Sequence, residues 1–236
     1  MDMKRILLVA IALVCVNFIY PQQKKNDWAK YGRYAQANDT ITVAPTAVFM
    51  GNSITDFWGK LRPDFFKENN YAPRGISGQT TYQMLARFHS DVVALDPKVV
   101  VILSGINDIA QNSGEISLEN ILGNIISMCD IARANGIVPV LCSLLPCDYF
   151  SWKKDIQPAP LVIELNTMIR RYAQEQGLEY VDYHSFMSDG KGALKEGLSG
   201  DRCHPYAEAY APMEEAVVAA VNKVTNKKLM RKYRRK

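Results

Sequence analysis

The sequence predicts an α/β protein whose helices pack on a parallel sheet. Three observations carry that expectation: five short apolar runs recur along the chain, helical patterns lie between them, and the central run is apolar on both faces. The runs cover residues 46–50, 71–74 (the weakest), 99–104, 138–143 and 178–181. Val99-Val100-Val101-Ile102-Leu103 has no polar position, as a strand covered on both sides requires. Between the third and fourth runs, residues 118–135 repeat apolar side chains at helical spacing and stop at Gly136, a residue suited to ending a helix. Residues 161–177 behave the same way, and residues 206–223 make a last helix.

The chain of 236 residues is 48% hydrophobic and 22% charged, which suits one domain with a sizeable core and argues against wholesale disorder. That domain is expected over residues 45–226, preceded by an N-terminal extension with a helix over 21–44. Residues 1–20 read as an export signal: Lys4 and Arg5 precede an apolar stretch too short for a comfortable bilayer span. An uncleaved anchor is the alternative, and so is a lipoprotein signal at Cys15, although Val14 is bulky where a small residue is wanted. The expected location is periplasmic or extracellular.

Seven cations and no acid occupy residues 227–236, so against a net charge of +4 the rest of the chain is acidic. An acidic body with one basic tail is not built for nucleic acid. The tail either touches an anionic membrane surface or is a solvated helix end whose cations complement the helix dipole. Cys129 and Cys142 read as buried thiols, and no Cys-x-x-Cys or His-x-x-x-His spacing points to a metal site.

In open parallel sheets ligands bind beyond the carboxyl ends of the strands. The segments that follow the runs, residues 51–55, 75–80, 105–109 and 144–152, therefore share one rim. Gly51-Asn52-Ser53 ends the first run in a serine, and Asp201-Arg202-Cys203-His204 places a carboxylate three residues before a histidine. A serine needs a base to become a nucleophile, and an imidazole oriented by a carboxylate is such a base. Of the three histidines, His89 falls at a helix end and His184 has only Asp182 nearby, which leaves His204. Acyl transfer also needs donors for the developing oxyanion. The Asn107 amide, the Ser53 N–H and the N–H of Gly78 are candidates; the plain alternative is that the glycines are turn residues and Asn107 a helix cap.

Taken together, Gly51-Asn52-Ser53, Gly75-x-x-Gly78, Gly105-x-Asn107-Asp108 and Asp201-x-x-His204-Pro205 resemble, in that order, the four blocks of the SGNH (GDSL-type) hydrolases. The resemblance spans roughly residues 45–215. It implies a three-layer α/β/α sandwich with a five-stranded parallel sheet and no metal or organic cofactor. It also implies roles: Ser53 as nucleophile, His204 as base and then acid, Asp201 as its orienter, and Ser53, Gly78 and Asn107 as the oxyanion hole. Asn52, Asp108, Trp58 and Arg202 are the further residues expected to meet substrate. Two positions depart from the family pattern. Asn52 stands where an aspartate is common, and Arg202 stands where a glycine commonly follows the aspartate. Cys203, beside the base, invites oxidation or thiol reagents if it is exposed.

The implied reaction is two-step ester hydrolysis. Export, one compact domain and no long apolar lid favour a small acyl group on a large polar carrier, O-acetyl on a carbohydrate. Trp58, Tyr149, Phe150 and Trp152 lie on or near rim segments, where they either stack on sugar rings or pack inside. The rival readings are a lysophospholipase or short-chain lipid esterase, a non-catalytic glycan-binding protein on the same fold, and an acyltransferase.

Overall fold

A computed structural model describes residues 27–226. The export signal with Cys15 and the basic tail lie outside the described residues. The five apolar runs form five strands whose ends fall within one residue of those expected: β1 (Ala47–Gly51), β2 (Tyr71–Gly75), β3 (Val99–Leu103), β4 (Val138–Cys142) and β5 (Glu179–Val181). Every pairing is parallel, and the strand order is β2-β1-β3-β4-β5.

Helices α1 (Ala35–Asp39), α2 (Ser53–Leu61), α3 (Pro63–Glu68), α4 (Thr81–Asp91), α5 (Ile106–Ile109), α6 (Leu118–Ala134), α7 (Pro158–Gln176), α8 (Tyr183–Met187) and α9 (Ala211–Thr225) connect and cover the strands. Helix α7 starts three residues earlier than its apolar spacing predicts. Pro158 and Pro160 sit in its first turn, where the backbone N–H groups have no intrahelical acceptor and a proline costs nothing. Helix α9 starts five residues later than residue 206, because the chain first makes a 3-10 turn over Ala207–Tyr210.

The sheet has an apolar layer on each side, set by the two-residue period of its strands. Val48, Met50, Val100 and Ile102 point toward α4, α6 and α7, meeting Met84, Phe88, Ile121, Ile125 and Leu165. Phe49, Val99, Val101 and Val140 point the other way, toward Trp58, Phe66, Met213, Val217 and Val221 of α2, α3 and α9. Each such side chain contributes about 1.5–3 kcal/mol of burial. The result is the three-layer α/β/α sandwich. Among the described residues no helix is long and apolar enough to cross a membrane.

Because β1 lies between β2 and β3, the chain leaves β1 toward one neighbour and later crosses to the other. This opens a crevice beyond the carboxyl ends of β1 and β3. Ser53 at the start of α2 and Asn107 in α5 both face that crevice.

Candidate active site

Asn52 is the N-cap of α2: its side-chain oxygen accepts from the Ile54 N–H at 3.2 Å. With 1% of its surface exposed, it is occupied with the helix end and does not meet substrate, contrary to the sequence expectation. The cap sets Ser53 on the first turn of α2, at the floor of the crevice. There the Ser53 Oγ lies 2.9 Å from His204 Nε2. On the other side of the ring, His204 Nδ1 lies 2.6 Å from Asp201 Oδ2.

The Asp201 carboxylate is held by its own turn. Its Oδ1 accepts from the backbone N–H of His204 at 2.7 Å, from that of Cys203 at 3.0 Å and from the Ser199 hydroxyl at 3.1 Å. Burial opposes its ionisation, but the hydrogen bonds from the His204 ring and from the two backbone N–H groups win and hold the carboxyl at about 2. Asp201 is thus a carboxylate throughout the neutral range and can stabilise an imidazolium. The turn needs a left-handed residue at position 202, and Arg202 adopts φ +67°. Its guanidinium turns away from the crevice to pair with Asp148 and lie over the Tyr149 ring at 5.4 Å, so Arg202 shapes the turn instead of reaching substrate. Cys203 is 3% exposed, packed with Cys147, and thus shielded from bulky thiol reagents. The described cysteines, Cys129, Cys142, Cys147 and Cys203, are free thiols.

Across the crevice, Gly78 sits in the loop from β2 to α4 with φ +81°, a conformation that glycine adopts without strain. Gly75, at the end of β2, is required by close approach, since a Cβ there would meet the Asp56 backbone nitrogen at 2.2 Å. The Asn107 amide is oriented at both ends. Its Nδ2 donates to the Gln79 carbonyl at 3.0 Å, and its Oδ1 accepts from Asn112 Nδ2 at 3.1 Å. The amide nitrogen therefore keeps a second hydrogen for the crevice, whose lining includes Asn107.

Asp108, expected beside substrate, is 1% exposed and faces the other way. It accepts from the Thr81 backbone N–H at 3.0 Å and from the Thr81 hydroxyl at 2.6 Å, fixing the start of α4. Burial pushes its carboxyl up to about 6, against the hydrogen bonds from Thr81. Trp58 is also corrected: 1% exposed, it stacks on Phe65 and Tyr210 and donates its Nε1–H to Glu214 at 3.2 Å, deep in the layer under α9. It follows Ser53 by five residues on α2, and that spacing turns it to the helix's inner face. Phe150 is fully buried, and Tyr149 is covered by Arg202. Of the four aromatic residues on the rim segments, only Trp152 lines the crevice. It is 45% exposed, lies 6.4 Å from the His204 ring at 30°, and donates to Asn112 Oδ1 at 3.2 Å.

Phe57, Ser77 and Asn112 complete the wall of a crevice of about 280 Å³ together with Ser53, Gly78, Asn107, Trp152 and His204. Phe57 was findable, because it lies one helical turn after Ser53 and so on the same face of α2; its ring is 5.1 Å from that of His204. Asn112 carries no such signal. It touches Asn107, Gly78 and Trp152 through partners 5, 34 and 40 residues away. His184 and His89 do not line the crevice.

A hydroxyl bonded to an imidazole, which in turn faces a carboxylate, can lose its proton while attacking a carbonyl. That is the chemistry of acyl transfer, and the chain's relatives agree. A Bacteroides fragilis protein assigned as an acylhydrolase is 42% identical in structure-based comparison, with a TM-score of 0.82, covering 86% of this chain and 100% of that one. A GDSL-like lipase of Bacteroides thetaiotaomicron is also 42% identical, with a TM-score of 0.80 over 83% of this chain and 98% of its own. A Bacillus subtilis protein, the uncharacterized lipoprotein YqeF, is 33% identical over 75 residues, a match covering 30% of this chain and 31% of that relative's length. Residues 49–211 match the model of the GDSL-like lipase/acylhydrolase family, to which this chain belongs as an ester hydrolase.

Proposed function

We propose that the protein is an exported esterase that removes small acyl groups, above all O-acetyl, from carbohydrate, with Ser53 as nucleophile. Ser53 Oγ attacks the ester carbonyl as His204 Nε2 takes its proton, and Asp201 steadies the imidazolium. The oxyanion is met by the Gly78 and Ser53 backbone N–H groups and the free hydrogen of Asn107 Nδ2. Collapse of the tetrahedral species expels the alcohol, which takes its proton from His204. Water then repeats the sequence on the acyl-serine, with His204 as base, and releases the acid. The observation that carries this reading is the unbroken chain Asp201–His204–Ser53, open to a crevice that also holds Gly78 and Asn107.

The substrate class rests on size and wall chemistry. About 280 Å³ is at the small end for a ligand site, a size that suits a small acyl group. Phe57 and Trp152 flank His204 on the side open to solvent, where the face of a sugar ring can lie on an indole. The export reading rests on residues 1–20 alone. Three measurements test the proposal. A fluorophosphonate probe should modify Ser53 stoichiometrically, as mapped by mass spectrometry. Acetate release from an acetylated glycan should exceed fatty-acid release from a lysophospholipid, and Trp152→Ala should raise KM for the glycan more than for p-nitrophenyl acetate. Absence of labelling in folded protein would sink the nucleophile assignment, and a preference for long acyl chains would sink the carbohydrate reading.

A further inference from the structure

The loop from Gly75 to Gln79 carries the Gly78 N–H, and a donor works only if its backbone is held where the oxyanion forms. Part of the restraint comes from the hydrolase body. Ile76 N–H donates to the Gly51 carbonyl at 3.1 Å, the Ser77 hydroxyl to Asp56 at 2.7 Å, and Asn107 and Asn112 hold the carbonyls of Gln79 and Gly78.

The rest comes from residues 27–39, upstream of the family match that begins at residue 49. The Tyr34 hydroxyl donates to the Gly75 carbonyl, where the loop begins. The Ala29 carbonyl accepts from Gln79 Nε2 at 2.8 Å, where it ends. Asn38 bridges two sides of the same corner. Its Oδ1 accepts from Arg74 Nε at 2.8 Å, and its Nδ2 donates to Asp91 Oδ1 at 2.8 Å. Asp91 pairs with Arg87 at 2.9 Å, both fully buried. Arg87 in turn donates to Gln79 Oε1 at 2.6 Å, to the Arg74 carbonyl at 2.8 Å and to the Gly51 carbonyl at 3.2 Å. Gly51 is two residues before Ser53. The ring of contacts from Ala29 through Gln79, Arg87 and Asp91 to Asn38 therefore starts and ends on the upstream segment, and it grips the strand ends that carry both the nucleophile and the oxyanion loop.

We propose that Tyr34 and Asn38, with the Ala29 carbonyl, are positioning groups of the active site supplied by the upstream segment, setting the Gly75–Gln79 loop for oxyanion binding. The inference rests on the oxyanion role assigned above to the Gly78 N–H. Because the loop acts on charge that develops in the transition state, loosening it lowers kcat and leaves KM nearly alone. Tyr34→Phe is the cleaner test, since the ring stays under the guanidinium groups of Arg33 and Arg74, at 5.0 and 4.9 Å, while only the hydroxyl is lost.

The experiment measures kcat and KM on p-nitrophenyl acetate, with activity normalised to fluorophosphonate-titrated Ser53. The panel is Tyr34→Phe, Asn38→Leu, the exposed Gln36→Ala as a control on α1, and Ser53→Ala. Tyr34→Phe should lose about tenfold in kcat with KM within about twofold, and Asn38→Leu more. The rate constant for phosphonylation of Ser53, whose phosphoryl oxygen gains negative charge as phosphorus becomes five-coordinate and fluoride leaves, should fall in parallel, and Gln36→Ala should match the parent. A drop in melting temperature with kcat per titrated serine unchanged would show a merely stabilising segment and overturn the proposal. A rise in KM with kcat intact would overturn it too, in favour of a substrate contact. Turnover surviving in Ser53→Ala would instead overturn the hydrolytic reading and the inference with it.

Discussion

The two halves of the site are built on opposite principles. On one side, Ser53, the Gly75–Gln79 loop and Asn107 stand on a network of buried polar groups: Arg87 and Asp91 are fully buried, Asp108 is 1% and Asn107 3% exposed, and their partners come from β1, β2, α4 and α5. On the other side, Asp201 and His204 lie in one turn that satisfies itself. The carboxylate accepts from residues within three positions, and its side chain is 45% exposed. The difference teaches where precision comes from. The proposed nucleophile and oxyanion donors must keep a fixed mutual geometry, and their residues are tied to the sheet. The base needs only to reach Ser53 and change charge, and a solvated turn allows that without burying an ion.

This contrast can be broken, beginning with its largest expected effect. His204→Ala and Ser53→Ala should each lower kcat by about 10³-fold or more while leaving the urea midpoint nearly unchanged, because the turn on one side and the hydroxyl on the other support little else. A large loss of stability in His204→Ala would show that the turn is a structural member after all. Asn107→Ala should cost on the order of 10²–10³ in kcat, as removal of an oxyanion donor does elsewhere. A silent Asn107→Ala in folded protein would remove Asn107 from the oxyanion hole.

Arg87→Met, unlike His204→Ala, should act on stability. It strands the Asp91 carboxylate in the interior and frees three acceptors, so about 3–5 kcal/mol of stability should be lost in equilibrium unfolding. Little change in the midpoint would mean that water replaces the guanidinium and that the corner is less closed than its burial indicates.

The smallest effect is the most diagnostic, because the two sides should answer pH with opposite signs. Asp201 has a folded value of about 2, below its unfolded value near 4, so the stability it contributes is present above about 4 and is lost as pH falls toward 2. Asp108 has a folded value of about 6, above its unfolded value. Between about 4 and about 6 the folded chain keeps a proton the unfolded chain has released, so stability falls as pH rises through that window and is level beyond it. Urea melts from pH 3 to 8 should show this fall, on the order of 2 kcal/mol, and Asp108→Asn should flatten it. If the slope between pH 4 and 6 is unchanged in Asp108→Asn, the burial of that carboxyl is not what sets its charge.

Much of this architecture was legible in residue order. The five apolar runs mark the five strands within a residue because a parallel strand covered on both faces must be apolar throughout, a property written in consecutive letters. Gly-x-Ser after the first run and Asp-x-x-His near the end are likewise local strings, and local strings locate turns. The errors share one cause. Asn52, Asp108 and Arg202 lie within the motif blocks and Trp58 five residues after Ser53, yet each points elsewhere: into a helix cap, to Thr81, to Asp148 and into the layer under α9. Adjacency in sequence places a backbone, while the direction of a side chain follows from helix phase and from partners far along the chain. The same reason hides Arg87, Asn112 and Tyr34. Arg87 and Tyr34 look like ordinary amphipathic residues until β2 lies beside β1 and brings the carbonyls of Gly51, Arg74 and Gly75 together. Strand positions and the rim that carries chemistry follow from hydrophobic period and turn residues, which act over a few neighbours. The longest of the polar ties that give the rim its geometry join residues 36 to 50 positions apart, and only packing of the layers brings such groups within hydrogen-bond distance.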